Sequence, residues 1–159
     1  MLVDTSIAHD FLSFYIAVLT EINDGVQPQG TQEYVQCRDF LYPDSVSIAN
    51  CKSISNDFKD ALDKAVFGRF IYLKKYKNCY AFKHFDTNQY FDALGLTSPT
   101  EEMVEEFSVI ETALVPYHEI IICDGLIVKK NVLLGPNMMK DCRDGYHQAR
   151  KSGNLIREM

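Results

Sequence analysis

Tryptophan is absent from this chain of 159 residues, and basic residues are absent from its first stretch. Residues 1–37 hold Asp4, Asp10, Glu21, Asp24 and Glu33 but no Lys or Arg, whereas the other 122 residues carry 16 basic and 17 acidic groups. So acidic a start repels phosphate, which argues against nucleic-acid binding there. It also lacks the positive n-region of a secretory signal. The longest apolar run, "FLSFYIAVL", is too short to span a bilayer and is interrupted by Ser13. A cytoplasmic protein without membrane contact is expected. The cysteines, Cys37, Cys51, Cys79, Cys123 and Cys142, are odd in number and form no C-x-x-C pair. That usage fits reduced thiols buried as small hydrophobes. Cys123 and His118 are the nearest pair for zinc, but structural zinc takes paired ligands, so neither metal nor cofactor is expected.

Catalytic signatures are equally scarce. No Walker glycine loop, G-x-G-x-x-G or G-x-S-x-G occurs. "HEIII" at 118–122 begins like a zinc-protease helix, but Ile122 stands where the second histidine belongs. Pro43-Asp44 with Asp57-Phe58-Lys59 fits the spacing of a PD…(D/E)xK nuclease, whose carboxylates must grip one metal from adjacent strands. Here Asp57 and Lys59 fall in the first turn of a predicted helix, where an acid serves the helix dipole.

What is present is a core. Apolar residues make up 47%, with ten Phe and nine Tyr, enough for a single folded domain over 1–159. Ile7, Phe11, Tyr15, Val18, Leu19 and Ile22 recur at helical spacing behind a capping Asp4, and Asn23-Asp24-Gly25 closes that helix. Residues 24–32 read as a linker, 32–41 as a second helix, and 55–66 as a third, stopped by Gly68. From Phe70 the period changes to β-branched and aromatic strands, with turns at Lys77-Asn78 and over "DTNQ". "TSPTEEM" predicts a helix start with Ser98 as cap and Glu101 completing a capping box. "VIETALVPYHEIIICDGLIVKK" predicts three strands, with turns at 116–119 and at Asp124-Gly125, since Asp-Gly between apolar runs is a strong hairpin signal. A last helix is expected over about 137–151, capped by Asn137 and ended by Gly153, with Met139, Cys142, Tyr146 and Ala149 inward. The order predicts an α+β fold: helices over 1–53, then a core over 54–159. In it a helical part packs on a small, bent antiparallel sheet or partial barrel with a C-terminal helix.

Three functional readings follow. One is a non-enzymatic protein-interaction or regulatory module that binds another protein or self-associates as a homodimer, with the acidic first helix and the sheet's exposed edge as surfaces. The second is a hydrolase that clusters His118, Glu119 and Asp124 at one end of the strand pair and adds His147 from the last helix. The third is single-stranded nucleic-acid binding through Lys74, Lys75, Lys77, Lys129, Lys130 and Tyr76 on one sheet face. Lysines that blunt sheet edges give a plainer account of that last set, and the net charge of −6 favours it.

The segments "GRFIYLKKYKNCYAF", "YFDALGLTSPTEEM", "VIETALVPYHEIIICDGLI" and "LLG…YHQARKSG" follow an order of parts that resembles a family of uncharacterised bacterial proteins, mainly from Firmicutes. In that family the strand pair reads "hVETVLLPFxxxIIYDGLL" after a "VLGLxxxxEE" block. The resemblance covers residues 54–153. The chain departs in having no Trp before the first strand and Cys123 where Tyr is usual. Residues 1–53 have no counterpart, and the SEC-C-type metal tail of some relatives is absent. The resemblance implies a recurrent scaffold around Asp124-Gly125 and brings no activity with it.

Overall fold

The computed structural model describes residues 1–43 and 45–159, without the side chains of residues 45–47. Asp44, and with it the first carboxylate of the nuclease spacing, lies outside the described residues. The chain divides into two compact units, Asp4–Ala65 and Met1–Val3 with Val66–Met159. Residues 4–65 hold four basic and ten acidic groups, whereas 66–159 hold twelve of each, so the first unit carries the whole charge of −6.

The first unit is helical: α1 (Thr5–Ile22), α2 (Gly30–Leu41), α3 (Ser45–Asn50) and α4 (Asn56–Lys64). Asp4 caps α1 by accepting the Ser6 N–H at 2.9 Å, as its position predicts. Ser55 caps α4 by accepting the Phe58 N–H at 3.2 Å. The ring of Phe58 meets Phe11 and Tyr15 of α1 edge-on, with centroids 5.3 and 6.4 Å away. Such pairs add to the area they bury. The α4 helix stops at Lys64, earlier than Gly68 suggests, because Ala65 is already extended and Gly68 lies inside the first strand.

The second unit is built on β1 (Val66–Lys75), β2 (Tyr80–His84), β3 (Tyr90–Gly95), β4 (Val109–Tyr117), β5 (Ile120–Cys123) and β6 (Val128–Lys129). A one-turn α5 (Thr100–Met103) follows β3, and α6 (Pro136–Ser152) follows β6. The strands neighbour one another in the order β1-β2-β3-β5-β4, and β1 also pairs with β4, which closes a five-stranded barrel. Every pairing is antiparallel except β3 with β5. This is the strand order of the OB-type Greek-key barrel. The fold class is therefore α+β as expected, and the small bent sheet or partial barrel is a closed five-stranded barrel.

Alternation along the strands fills the barrel. Phe70, Tyr72, Tyr80, Phe82, Phe91, Ile110, Leu114 and Ile121 point inward and are buried. Ile71, Leu73 and Ala81 point outward but are also buried, beneath Cys142, Tyr146 and Ala149 of α6. That cover explains why four consecutive residues, Phe70 to Leu73, avoid solvent on one strand. The α6 helix lies so close that a Cβ on Gly145 would fall on the Tyr90 hydroxyl.

Three local expectations change. Pro116 does not break the strand: it pairs with Ile121 inside β4, where β5 is the neighbour and the β1 pairing has already ended at Leu114. A missing N–H is tolerated at such an edge position. The hairpin turn is His118-Glu119 alone, both with positive φ, 51° and 61°. Asp124-Gly125 does not reverse the chain either. Both β5 and β6 run antiparallel to β4 along the same edge, Leu114 facing Cys123 and Glu111 facing Val128. Residues 124–127 thus stand opposite Thr112 and Ala113 as a bulge, with Gly125 at φ 79°. Ser98 does not cap α5 either. Pro99 occupies the cap position without a side-chain bond, and Glu101 turns instead to Lys75 and Tyr80.

Candidate functional site

Only two register pairs, Leu94 with Ile122 and Gly95 with Cys123, hold β3 to β5. Before those pairs the strands diverge. The opening is a cleft of about 530 Å³ between the β1–β2 loop, the outer part of β3, the β4–β5 turn and the last turns of the chain. Its floor is Ala93 and Leu94 on one side and Ile120 and Ile121 on the other.

One carboxylate organises the cleft. Asp92 on β3 keeps 10% of its side chain exposed and accepts the Tyr146 hydroxyl at 2.7 Å and the Arg157 Nε at 3.1 Å. Burial, and then donation to that carboxylate, push the Tyr146 phenol up. Burial, and then the charge of Asp92, raise the Cys79 thiol to about 11. A thiol held that high is protonated at neutral pH and is no nucleophile. Tyr76, from the β1–β2 loop, stacks on Tyr146 at 4.8 Å and 16°. Lys77, Arg150 and Arg157 balance Asp92, Glu119 and Glu158 around the opening, so the cleft has no charge of one sign to offer a polyanion.

The sequence-derived residues are scattered about this cleft. Glu119 lies on its wall. His118 is exposed beside it, with its ring against Tyr117 at 4.3 Å. His147 is exposed on α6, its ring edge-on to Tyr76 and Tyr146, while Asp144 pairs with Lys140 at 3.4 Å. His118 and Glu119 stand exposed on the hairpin turn and His147 exposed on α6. Asp124 is buried in the bulge between β5 and β6, where it accepts the Thr112 hydroxyl at 2.9 Å and the Leu126 N–H at 3.0 Å. Those bonds are what a self-closed Asx turn needs. Among the described residues, no group of His, Cys, Asp and Glu could hold a metal ion.

The lysine–tyrosine set is divided as well. Lys75 binds Glu101 at 2.6 Å, Lys129 lies 3.6 Å from Glu105, and Lys130 lies 3.4 Å from Glu111. Tyr76 has Tyr146 against its ring and the Lys74 ammonium 5.3 Å over its centroid, which leaves little open aromatic face for a base. Lys77 reaches the cleft.

Sequence reasoning missed Asp92, Arg157 and the part played by Tyr146. Asp92 sits in an unremarkable strand, and its partners follow 54 and 65 residues later. No spacing rule links them. The available signal was an acid flanked by apolar residues in "YFDAL", a polar group on a mostly apolar strand.

Compared with family models, curated proteins and solved structures, the chain matches none. Among the described residues, no helix is long and apolar enough to cross a membrane.

Proposed function

We propose that this protein is a non-enzymatic interaction module that captures an extended polypeptide segment in the open seam between β3 and β5. One observation carries the reading. The outer part of β3 already takes an extended segment as a parallel bridge: the Asp92 N–H donates to the Ile156 carbonyl at 3.0 Å, and the Ile156 N–H donates to the Tyr90 carbonyl at 2.9 Å. A sheet edge that hydrogen-bonds a strand from its own chain presents the donors and acceptors that strand addition uses. An apolar floor and a rim of mixed charge suit a peptide better than a nucleic-acid strand. OB-type barrels host many activities, so the strand order by itself decides nothing. The bacterial family that residues 54–153 resemble brings no competing activity.

The test is selection from a displayed library of random linear peptides on the full chain, followed by NMR mapping of the bound peptide. Binders that shift the amides of Asp92, Leu94, Ile120 and Ile121 support the reading. Binders that map elsewhere, or the absence of any binder, would refute it.

A further inference from the structure

Building on that reading, we propose that residues 154–159 are the built-in occupant of the seam, and that a partner segment replacing them carries an apolar residue followed directly by arginine or lysine. Ile156 packs on the barrel core, and Met159 packs against the same cluster. The next side chain after Ile156, Arg157, turns back to Asp92 at 3.1 Å. The segment thus reads β3 through two backbone hydrogen bonds, one apolar contact and one cation.

The cation is the selective part. The Asp92 carboxylate is nearly buried and is held in place by the Tyr146 hydroxyl from α6. A segment that displaced Arg157 without supplying a positive charge would leave that carboxylate half satisfied, which costs more than the pair itself contributes. The apolar residue must precede the cation directly, because successive side chains on an extended segment point to opposite sides. One enters the core as the other reaches Asp92.

The occupant is weakly held. The Arg157 side chain is 59% exposed, so water can reach the pair from the arginine's side and compete for it. Asn154 and Glu158 are exposed, and the segment departs from α6 through Gly153 in the left-handed conformation. Leu155, Ile156 and Met159 are only half-buried, and a terminal segment without one fully buried side chain opens before the rest of a fold does.

The experiment uses a fluorescent synthetic peptide of residues 154–159, added to the full chain and to its Arg157→Ala, Arg157→Lys and Ile156→Gly variants, with binding read by anisotropy. The Arg157→Ala and Ile156→Gly chains should bind the peptide roughly tenfold more tightly than the parent, and Arg157→Lys should behave like the parent. Alanine in place of the peptide's arginine should weaken binding about tenfold, and Asp92→Asn in the protein should erase that difference. Equal affinity across parent and variants, or an arginine preference that survives Asp92→Asn, would overturn the proposal. A parent dimer dispersed by the peptide would show that a second copy supplies the segment, and would overturn the assignment to a foreign partner. If library-selected peptides bind the seam but the variants do not respond, this inference fails and the groove stands. If neither binds, both fail.

Discussion

Truncating Asp124 would leave the Thr112 hydroxyl and the Leu126 N–H turned towards an empty acceptor position. Asp124→Ala should therefore lower stability by about 1–3 kcal/mol in a urea titration, and Asp124→Asn by less, since one acceptor oxygen remains. Glu101 provides a second test at this scale. Hydrogen bonds from Lys75 and Tyr80 hold its carboxyl at about 2, below the ordinary 4.5. A depressed pKa in the folded state stabilises above the unfolded value and is lost as pH falls through the folded one. Stability should thus decline between about 4.5 and 2, and Glu101→Gln should flatten that part of the pH profile. Both residues also show what a sequence hides. Asp-Gly suits a hairpin and a bulge equally, because each needs a glycine at positive φ; the register along β4 decides between them. Glu101 stands where a capping box wants it, but the Lys75 ammonium and the Tyr80 hydroxyl compete for its carboxylate and win.

Among the elements, the β4–β5 hairpin carries avoidable strain. Both turn residues, His118 and Glu119, hold positive φ, which glycine and asparagine adopt at lower cost. Glu119→Gly should raise stability by about 0.5–1 kcal/mol, read from the urea midpoint, with the hairpin unchanged. Packing of α6 gives the opposite sign. Gly145→Ala would drive a methyl group into the Tyr90 hydroxyl and should cost about 1–3 kcal/mol in the same assay. Local signals placed these elements well wherever local chemistry decides. The Asp4 cap and the Gly153 stop stand where the sequence puts them, whereas β1 starts at Val66, ahead of the change of period read at Phe70. They failed at Pro116 and Ser98, where the neighbouring strand or a distant side chain sets the outcome, and at Asn137, which lies inside α6 because the helix already starts at Pro136 behind Gly135.

At the scale of the whole molecule, the pattern of strands and helices led to α+β with a bent sheet or partial barrel but not to full closure, since the β1–β4 and β3–β5 pairs join segments far apart in sequence. Composition predicted an acidic start, and the division into units assigns all the net charge to the helical part and leaves the barrel neutral. The site was the least legible feature, because Asp92, Tyr146 and Arg157 meet only after the barrel closes and α6 has packed on it. The central claim is that the outer edge of β3 is a binding edge, lent to the chain's own segment. Residue-resolved amide hydrogen exchange of the full chain tests it most directly. The Asp92 and Ile156 amides, which bond across the seam, should exchange together through a local opening well before amides inside the barrel such as Tyr72 and Val115. Arg157→Ala should speed that pair about tenfold and leave the barrel amides unchanged. If Asp92 and Ile156 exchange only with global unfolding, in both parent and variant, the segment is a permanent strand and the seam binds nothing else.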